Sequence, residues 1–166
     1  METSTPSNAT QKITTFLTFN NQAEDAMNHY LSVFPGSKVL QVSRNHDERI
    51  GTVGAILVAT IELFGQNFML LNGGPSFNFT HAISLMVLCD TQEEIDNYWE
   101  KLTADGGKEV QCGWLVDKFG VSWQITPSIM GSFMSSGDAE RSKRVMGAMM
   151  QMVKMNIAEL QQAYNG

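Results

Sequence analysis

The sequence predicts an α+β fold, with two βαβββ modules followed by a C-terminal helical extension. Three observations support this fold class. The order of strand-like and helix-like patterns in the first half recurs in the second, and the two helix starts are 69 residues apart. A shift of 55 residues also places the Phe-Gly pair at 64–65 on the Phe-Gly pair at 119–120. A chain of 166 residues, 43% of them hydrophobic, can bury a core without disulfide or metal staples.

The first module begins with an alternating, mostly apolar strand at 13–19. Asn21 and Glu24 predict a capped helix, which Pro35 and the glycine after it end. Three further strands are predicted at 38–43, 53–64 and 68–71.

The second module repeats this order, beginning with an apolar strand at 82–89. Asp90 to Glu93 predicts a second capping box, and Gly106 ends the helix. Three further strands are predicted at 108–112, 114–116 and 121–126.

The tail of the chain has a different pattern. After a loop or ragged turn at 129–136, Asp138 is expected to cap a helix that runs to about Val153. Asn156 and Glu159 form a third possible capping box, where the helix breaks or kinks. Five of the residues at 146–155 are methionines, which indicates either packing on the sheet of the same chain or a dimer seam.

These patterns divide the chain into four parts. They are a disordered polar tail at 1–11, modules at 12–80 and 81–127, and the helical extension at 128–166.

Composition excludes several classes of function. A net charge of −6, a pI near 4.9 and the lack of a basic run argue against nucleic acid or an anionic membrane as partner. No stretch is apolar enough to span a membrane, and the N-terminal residues do not form a signal peptide. Two cysteines in no C-x-x-C pattern are typical of a reduced, cytoplasmic protein. No Gly-x-Gly-x-x-Gly loop for a nucleotide or S-adenosylmethionine is present.

Four segments carry a resemblance to a known family: KITTFL at 12–17, AEDAM at 23–27, FGQNFMLLNGGP at 64–75 and CGWLVDKFGVSWQI at 112–125. Together with the duplicated βαβββ order, they resemble the glyoxalase/bleomycin-resistance/dioxygenase superfamily, also called vicinal oxygen chelate proteins. The likeness is strongest to its PhnB-like branch, often labelled 3-demethylubiquinone-9 3-methyltransferase. The resemblance covers about residues 12–164 and implies a curled mixed sheet around a cleft.

In metal-using members of that superfamily, the floor of the cleft holds a divalent ion. The positions that match its ligands in this sequence are Thr14, Met69, Ser84 and Gln124. Since none of them is His or a carboxylate, zinc, iron and manganese lack their usual ligands. We therefore expect no divalent metal and no other cofactor.

The same faces of the strands predict a small-molecule cleft of apolar walls with a few hydroxyls and one amide. Alternatively, these side chains fill the interior, Trp114 packs in the core and Asn72 is a turn residue. His81 either lines the mouth of a cavity or is a solvated surface residue. The predicted cleft residues are Thr14, Phe16, Met69, Asn72, Ser84, Met86, Trp114 and Gln124.

The first functional hypothesis is a homodimeric protein that binds or sequesters an unidentified small molecule in a metal-free cleft. The second is an enzyme of the same superfamily, of lyase, isomerase or dioxygenase type, in which Gln124 and either Ser84 or an external water polarise a substrate oxygen. The third is the methyl transfer that the family label states. A fold of this kind supports several chemistries, so the fold alone does not choose among them.

Overall fold

The computed structural model describes residues 11–166, so the predicted tail at 1–11 lies outside the described residues except for Gln11. The chain divides into two compact units, one ending at Phe77 (unit 1) and one running from Asn78 to Gly166 (unit 2). No helix within 11–166 is both long and apolar enough to cross a bilayer.

Unit 1 is a four-stranded mixed sheet with one helix. Its elements are β1 (Thr15–Phe19), α1 (Ala23–Val33), β2 (Lys38–Arg44), β3 (Ile56–Leu63) and β4 (Gln66–Asn72). The sheet order is β1-β4-β3-β2, with β1 parallel to β4 and the other neighbours antiparallel. Helix α1 contributes Ala26, Tyr30 and Val33 to a core whose strand residues include Ile61 and Leu70.

The start of α1 differs from the prediction. Asn21 has a φ of 60° and does not cap the helix, whose N-cap residue is Gln22 without a side-chain bond. Instead, the backbone N–H of Ala23 donates to Oδ1 of Asn72 over 2.9 Å. A side chain 49 positions away thus accepts a backbone hydrogen bond at the helix start, as a local N-cap side chain was expected to do.

Unit 2 repeats the architecture of unit 1. Its elements are β5 (Leu85–Cys89), α2 (Gln92–Thr103), β6 (Lys108–Glu109), β7 (Trp114–Val116) and β8 (Ser122–Pro127). The order is β5-β8-β7-β6, and β5 is parallel to β8 as β1 is to β4. The predicted α+β fold with two βαβββ modules is therefore confirmed, and neither sheet closes into a barrel.

The capping box of α2 lies one residue later than predicted. Oγ1 of Thr91 accepts from the backbone N–H of Glu94 over 3.2 Å. In return, Oε2 of Glu94 accepts from the backbone N–H of Asp90 over 2.7 Å. The reciprocal pair satisfies two backbone donors that the helix itself leaves unpaired.

The extension consists of α3 (Met130–Met134), α4 (Ala139–Met149) and α5 (Ile157–Asn165). The caps predicted at Asp138 and Asn156 are confirmed, since both side chains accept backbone N–H groups of the helices they precede. The loop expected at 129–136 contains α3, and α4 ends before the predicted Val153. The methionine-rich segment is therefore not one continuous helical face.

Residues 150–156, here called the strap, join α4 to α5 across the surface of unit 2. The backbone N–H groups of Cys112 and Gly113 donate to the carbonyls of Met152 and Val153, both over 2.8 Å. Gly113 has a φ of +78°, and a Cβ there would lie 3.0 Å from Cγ of Met155. Met152 and Met155 are buried, so this part of the methionine-rich segment packs on its own chain.

Candidate functional site

One face of the unit 2 sheet is left open. Strand alternation directs Val87, Trp123 and Ile125 into the core with α2, where all three are buried. The opposite surface carries Met86 and Leu88 with 57% and 60% of their surface exposed. We call this surface the unit 2 open face; its residues are Ser84, Met86, Leu88, Trp114, Gln124 and Thr126.

Gln124 lies at the centre of this face. In the sheet register it is the partner of Met86 on one side and of Trp114 on the other. Its Nε2 donates to Oγ of Ser84 over 2.8 Å. Because Ser84 accepts this bond, the hydroxyl proton of Ser84 remains available to a ligand oxygen. The structure thus brings together four of the predicted residues in a row of apolar and polar groups.

A second polar pair on the same unit was not predicted. Oγ of Ser122 lies 3.2 Å from Nδ1 of His81, and the imidazole meets the indole ring of Trp114 edge to face, with centroids 6.5 Å apart. Ser122 is two positions before Gln124 and so in phase with the open face. The spacing of two residues from Gln124 could have placed Ser122 on this face from the sequence. No local pattern could have linked Ser122 to His81, which is 41 positions away.

The corresponding face of unit 1 also mixes apolar and polar residues. Phe16, Met69 and Thr60 are neighbours in the register of β1, β4 and β3. Phe16 is 48% exposed, and Thr14 precedes β1 in the same phase. Three predicted residues therefore share this face, but they lie in a different unit from the four around Gln124.

Asn72, the remaining residue predicted for the cleft, lies on neither open face. It shares the phase of Phe68 and Leu70, the core residues of β4. Its amide accepts from the backbone N–H of Ala23 and donates to the carbonyl of Ile56 over 2.8 Å. Asn72 is therefore a structural residue that joins β4 to α1 and β3.

Asp117 sets the turn that leads into β8. Asp117 is 3% exposed, and its carboxylate accepts from the backbone N–H groups of Phe119 and Val121 over 2.9 and 3.0 Å. It also accepts from the indole Nε1–H of Trp123 over 2.9 Å. The turn fixes where β8 begins and hence which residues reach the open face, while Trp123 is held in the core.

The donor set does not fit a divalent metal. Within each unit, the positions matching the metal ligands of the superfamily supply only hydroxyls, a thioether and one amide: Thr14 and Met69, and Ser84 and Gln124. Among residues 11–166, no three side chains of His, Cys, Asp or Glu come together in a group that could hold a metal ion.

Two mixed sheets of βαβββ order, each with an open face, define a protein of the glyoxalase/bleomycin-resistance fold, the vicinal oxygen chelate superfamily. Within that superfamily, the chain belongs to the family described as 3-demethylubiquinone-9 3-methyltransferase, whose model matches residues 11–126. The helices α3, α4 and α5 lie beyond the matched region.

Solved structures agree with this assignment. A protein of Bacillus cereus, described as a candidate 3-demethylubiquinone-9 3-methyltransferase and PhnB protein, is 43% identical, with a TM-score of 0.66 over 70% of this chain and 99% of its own. A Pseudomonas aeruginosa protein shares the fold at 18% identity, with a TM-score of 0.60 over 71% of this chain and 98% of its own. The fosfomycin resistance protein FosX of Listeria monocytogenes, complexed with Mn(II) and sulfate, shares the fold at 11% identity, with a TM-score of 0.52 over 78% and 98% of the two chains. No curated protein matches the sequence.

Proposed function

We propose that this PhnB-like protein binds a small molecule on the unit 2 open face without a divalent metal ion. The observation that supports the proposal most is the hydrogen-bonded pair of Gln124 and Ser84 between the apolar side chains of Met86 and Trp114. Small-molecule sites combine mostly apolar walls with a few placed polar groups.

The exposure of the apolar residues supports a binding role over a packing role. Met86 and Leu88 are more than half exposed, whereas Val87 between them is 8% exposed. A ligand that covers both side chains removes apolar surface from water, which contributes about 25 cal/mol per Å². The pair of Ser84 and Gln124 then selects among apolar ligands, because a ligand must form hydrogen bonds with the hydroxyl of Ser84 and the amide of Gln124.

An enzyme of the same superfamily is a second candidate. Ser84 accepts from Gln124 and so can direct its proton toward a substrate oxygen, which would polarise a carbonyl. Methyl transfer is favoured only by the description of the family and of the Bacillus cereus protein. The sequence offers no glycine-rich loop of the kind that holds S-adenosylmethionine in doubly wound folds.

Binding is tested with 2-naphthoate and 2-naphthol, which combine an apolar ring system with one polar group. Chemical shifts of methyl-labelled methionines should move at Met86 and not at Met134, which lies on helix α3, outside the open face. Gln124→Ala should weaken binding several-fold, because the ligand loses its amide partner. Gln162→Ala, on the exposed side of α5, is the matched control and should bind as the wild type does.

The proposal is overturned if both probes leave the Met86 methyl unmoved at millimolar concentration, or if Gln124→Ala binds them with unchanged affinity.

Metal and cofactor are tested separately on untagged protein purified without chelator. Elemental analysis should find no stoichiometric zinc, nickel, manganese or iron; near-stoichiometric metal would contradict the metal-free proposal. Calorimetry with millimolar S-adenosylmethionine should give no binding heat. Measurable binding would make methyl transfer the leading function.

A further inference from the structure

Ser122 is buried, with 3% of the residue exposed. The one hydrogen-bond partner of its hydroxyl among residues 11–166 is Nδ1 of His81. A buried hydroxyl whose proton has no acceptor costs about 1–3 kcal/mol. We therefore expect the hydroxyl of Ser122 to donate its hydrogen bond to Nδ1 of His81.

This bond determines the tautomer of the neutral imidazole. If Nδ1 accepts from Ser122, the ring proton resides on Nε2. In the opposite arrangement Nδ1–H would donate to Oγ, and the proton of the Ser122 hydroxyl would be left without an acceptor in a buried place. The Nε2–H tautomer is thus the one that satisfies both side chains.

The Nε2 atom of His81 has no hydrogen-bond partner among residues 11–166. His81 is exposed, and its ring packs edge to face on Trp114. Trp114 is the register partner of Gln124, so the imidazole lies beside the residues of the proposed site. Two polar groups, the amide of Gln124 and the hydroxyl of Ser84, are bonded to each other, and the imidazole of His81 reaches this part of the sheet through Trp114.

We infer that His81 determines ligand specificity: its Nε2–H donates a hydrogen bond to an acceptor oxygen, a carboxylate or carbonyl, on a ring-bearing ligand that packs against Trp114. Ser122 is a positioning residue that holds the imidazole in this tautomer. The inference rests on the function proposed above, since it assigns a ligand class to the same open face. Ligands whose only polar group is a donor should bind less well than those with an acceptor oxygen.

The tautomer is measured without any ligand. Long-range proton–nitrogen correlation spectra of histidine-labelled protein, recorded at about pH 8, distinguish the Nε2–H form of a neutral imidazole from the Nδ1–H form. The signals of His81 are identified by their loss in His81→Gln. We expect the Nε2–H form in the wild type and a mixture in Ser122→Ala. An Nδ1–H form in the wild type would overturn the inference and leave the proposed binding function standing.

The role of His81 in binding is measured with 2-naphthoate, which carries an acceptor carboxylate. His81→Phe keeps a ring beside Trp114 but has no N–H, so its affinity should fall at least about tenfold, as loss of a charge-assisted hydrogen bond implies. His81→Gln retains an N–H donor and should recover part of the affinity. Because His81 is exposed, both variants should fold.

The outcomes separate the two proposals. If Gln124→Ala weakens 2-naphthoate binding and His81→Phe does not, the role of His81 is refuted and the binding face remains. If the wild-type protein does not bind the probes, both proposals fail.

Discussion

At the scale of single residues, Asp117 is the buried carboxylate on which the β7–β8 turn depends. It accepts from two backbone N–H groups and from the indole Nε1–H of Trp123. Carboxylates that accept several N–H bonds are stabilised more strongly than neutral acceptors.

We expect Asp117→Ala to lower the free energy of unfolding by about 3 kcal/mol, because three donors lose their acceptor in a buried place. Urea unfolding followed by Trp fluorescence measures the change. Asp105→Asn is the control: Asp105 is exposed, forms a surface ion pair with Lys118 and has a φ of 57°, which Asn tolerates. Equal stability of Asp117→Ala and the control would contradict this role of Asp117.

Cys89 illustrates how burial controls reactivity. Burial and, to a smaller extent, the negative charges of Glu94 and Asp90 together raise the pKa of its thiol to about 12. At about pH 8 only about one molecule in ten thousand carries the thiolate there.

Iodoacetamide at about pH 8 should therefore leave Cys89 unmodified in the folded protein. Mass spectrometry of Cys112→Ser, which retains Cys89 as its single thiol, measures this. Alkylation should become complete in denaturant. Rapid alkylation of the native variant would show that Cys89 is not buried in solution.

At the scale of elements, Gln92 connects the strap to α2. Its Nε2 donates to the carbonyl of Met155 over 3.1 Å, and its Oε1 accepts from the backbone N–H of Ile157 over 2.9 Å. One amide thus satisfies backbone groups at both ends of the turn into α5.

Gln92→Ala should loosen the strap and α5, because two backbone groups lose their partner. Hydrogen exchange followed by mass spectrometry should show faster exchange in peptides from 150–166 and unchanged exchange in unit 1. Glu93→Ala, an exposed neighbour on the same helix, should leave the pattern of the wild type. Unchanged exchange at 150–166 in Gln92→Ala would show that Gln92 does not hold the strap.

The strap should also respond to acid. Lys154 and Gln92 donate to the carboxylate of Asp96 and hold its pKa below the usual value. A depressed pKa in the folded state stabilises the fold above the unfolded pKa of about 3.9, and this contribution is lost as pH falls through the lower folded value.

The ion pair of Lys154 and Asp96 is exposed, so its effect on stability is at most about 1 kcal/mol. Protection against exchange in 150–166, corrected for the intrinsic exchange rate at each pH, should fall below about pH 4 in the wild type and fall less in Asp96→Asn. Equal pH dependence of protection in both would exclude this pair as the cause.

At the scale of the whole molecule, the duplicated fold could be predicted from local patterns, because helix caps and alternating strands depend on neighbouring residues. Asp138 and Asn156 cap their helices as expected. The errors arise where a distant residue competes with a local one. Asn72 caps α1 in place of Asn21, and bonds from Gln92 and Cys112 hold a non-helical segment after α4.

In the candidate site, too, the features that depend on local patterns could be predicted and the contacts between distant residues could not. Strand phase placed Ser84, Met86, Trp114 and Gln124 on one face, since alternation is a property of the sequence. Strand phase does not predict the hydrogen bond between His81 and Ser122, because that contact depends on how the turn before β5 packs against β8.

We predict a homodimer, because a chain that exposes large apolar side chains on its strands and on α4 gains free energy by covering them. Sedimentation equilibrium should give twice the chain mass of 18.4 kDa. A single species of one chain mass at micromolar concentration would contradict the prediction. The exposed side chains that motivate it lie outside the proposed site: Val39, Leu40 and Val42 on β2, Met146 on α4 and Met150 at the start of the strap.

The bonds between the strap and Cys112 have a consequence for synthesis. During translation, all strands of both units leave the ribosome before Met152 does, so the N–H groups of Cys112 and Gly113 first face water. Unit 1 can reach its final fold while the chain is still growing, since every element of its sheet precedes Phe77. Unit 2 completes its hydrogen bonding only after the strap has emerged, and a stalled chain would retain an unfinished surface beside β7.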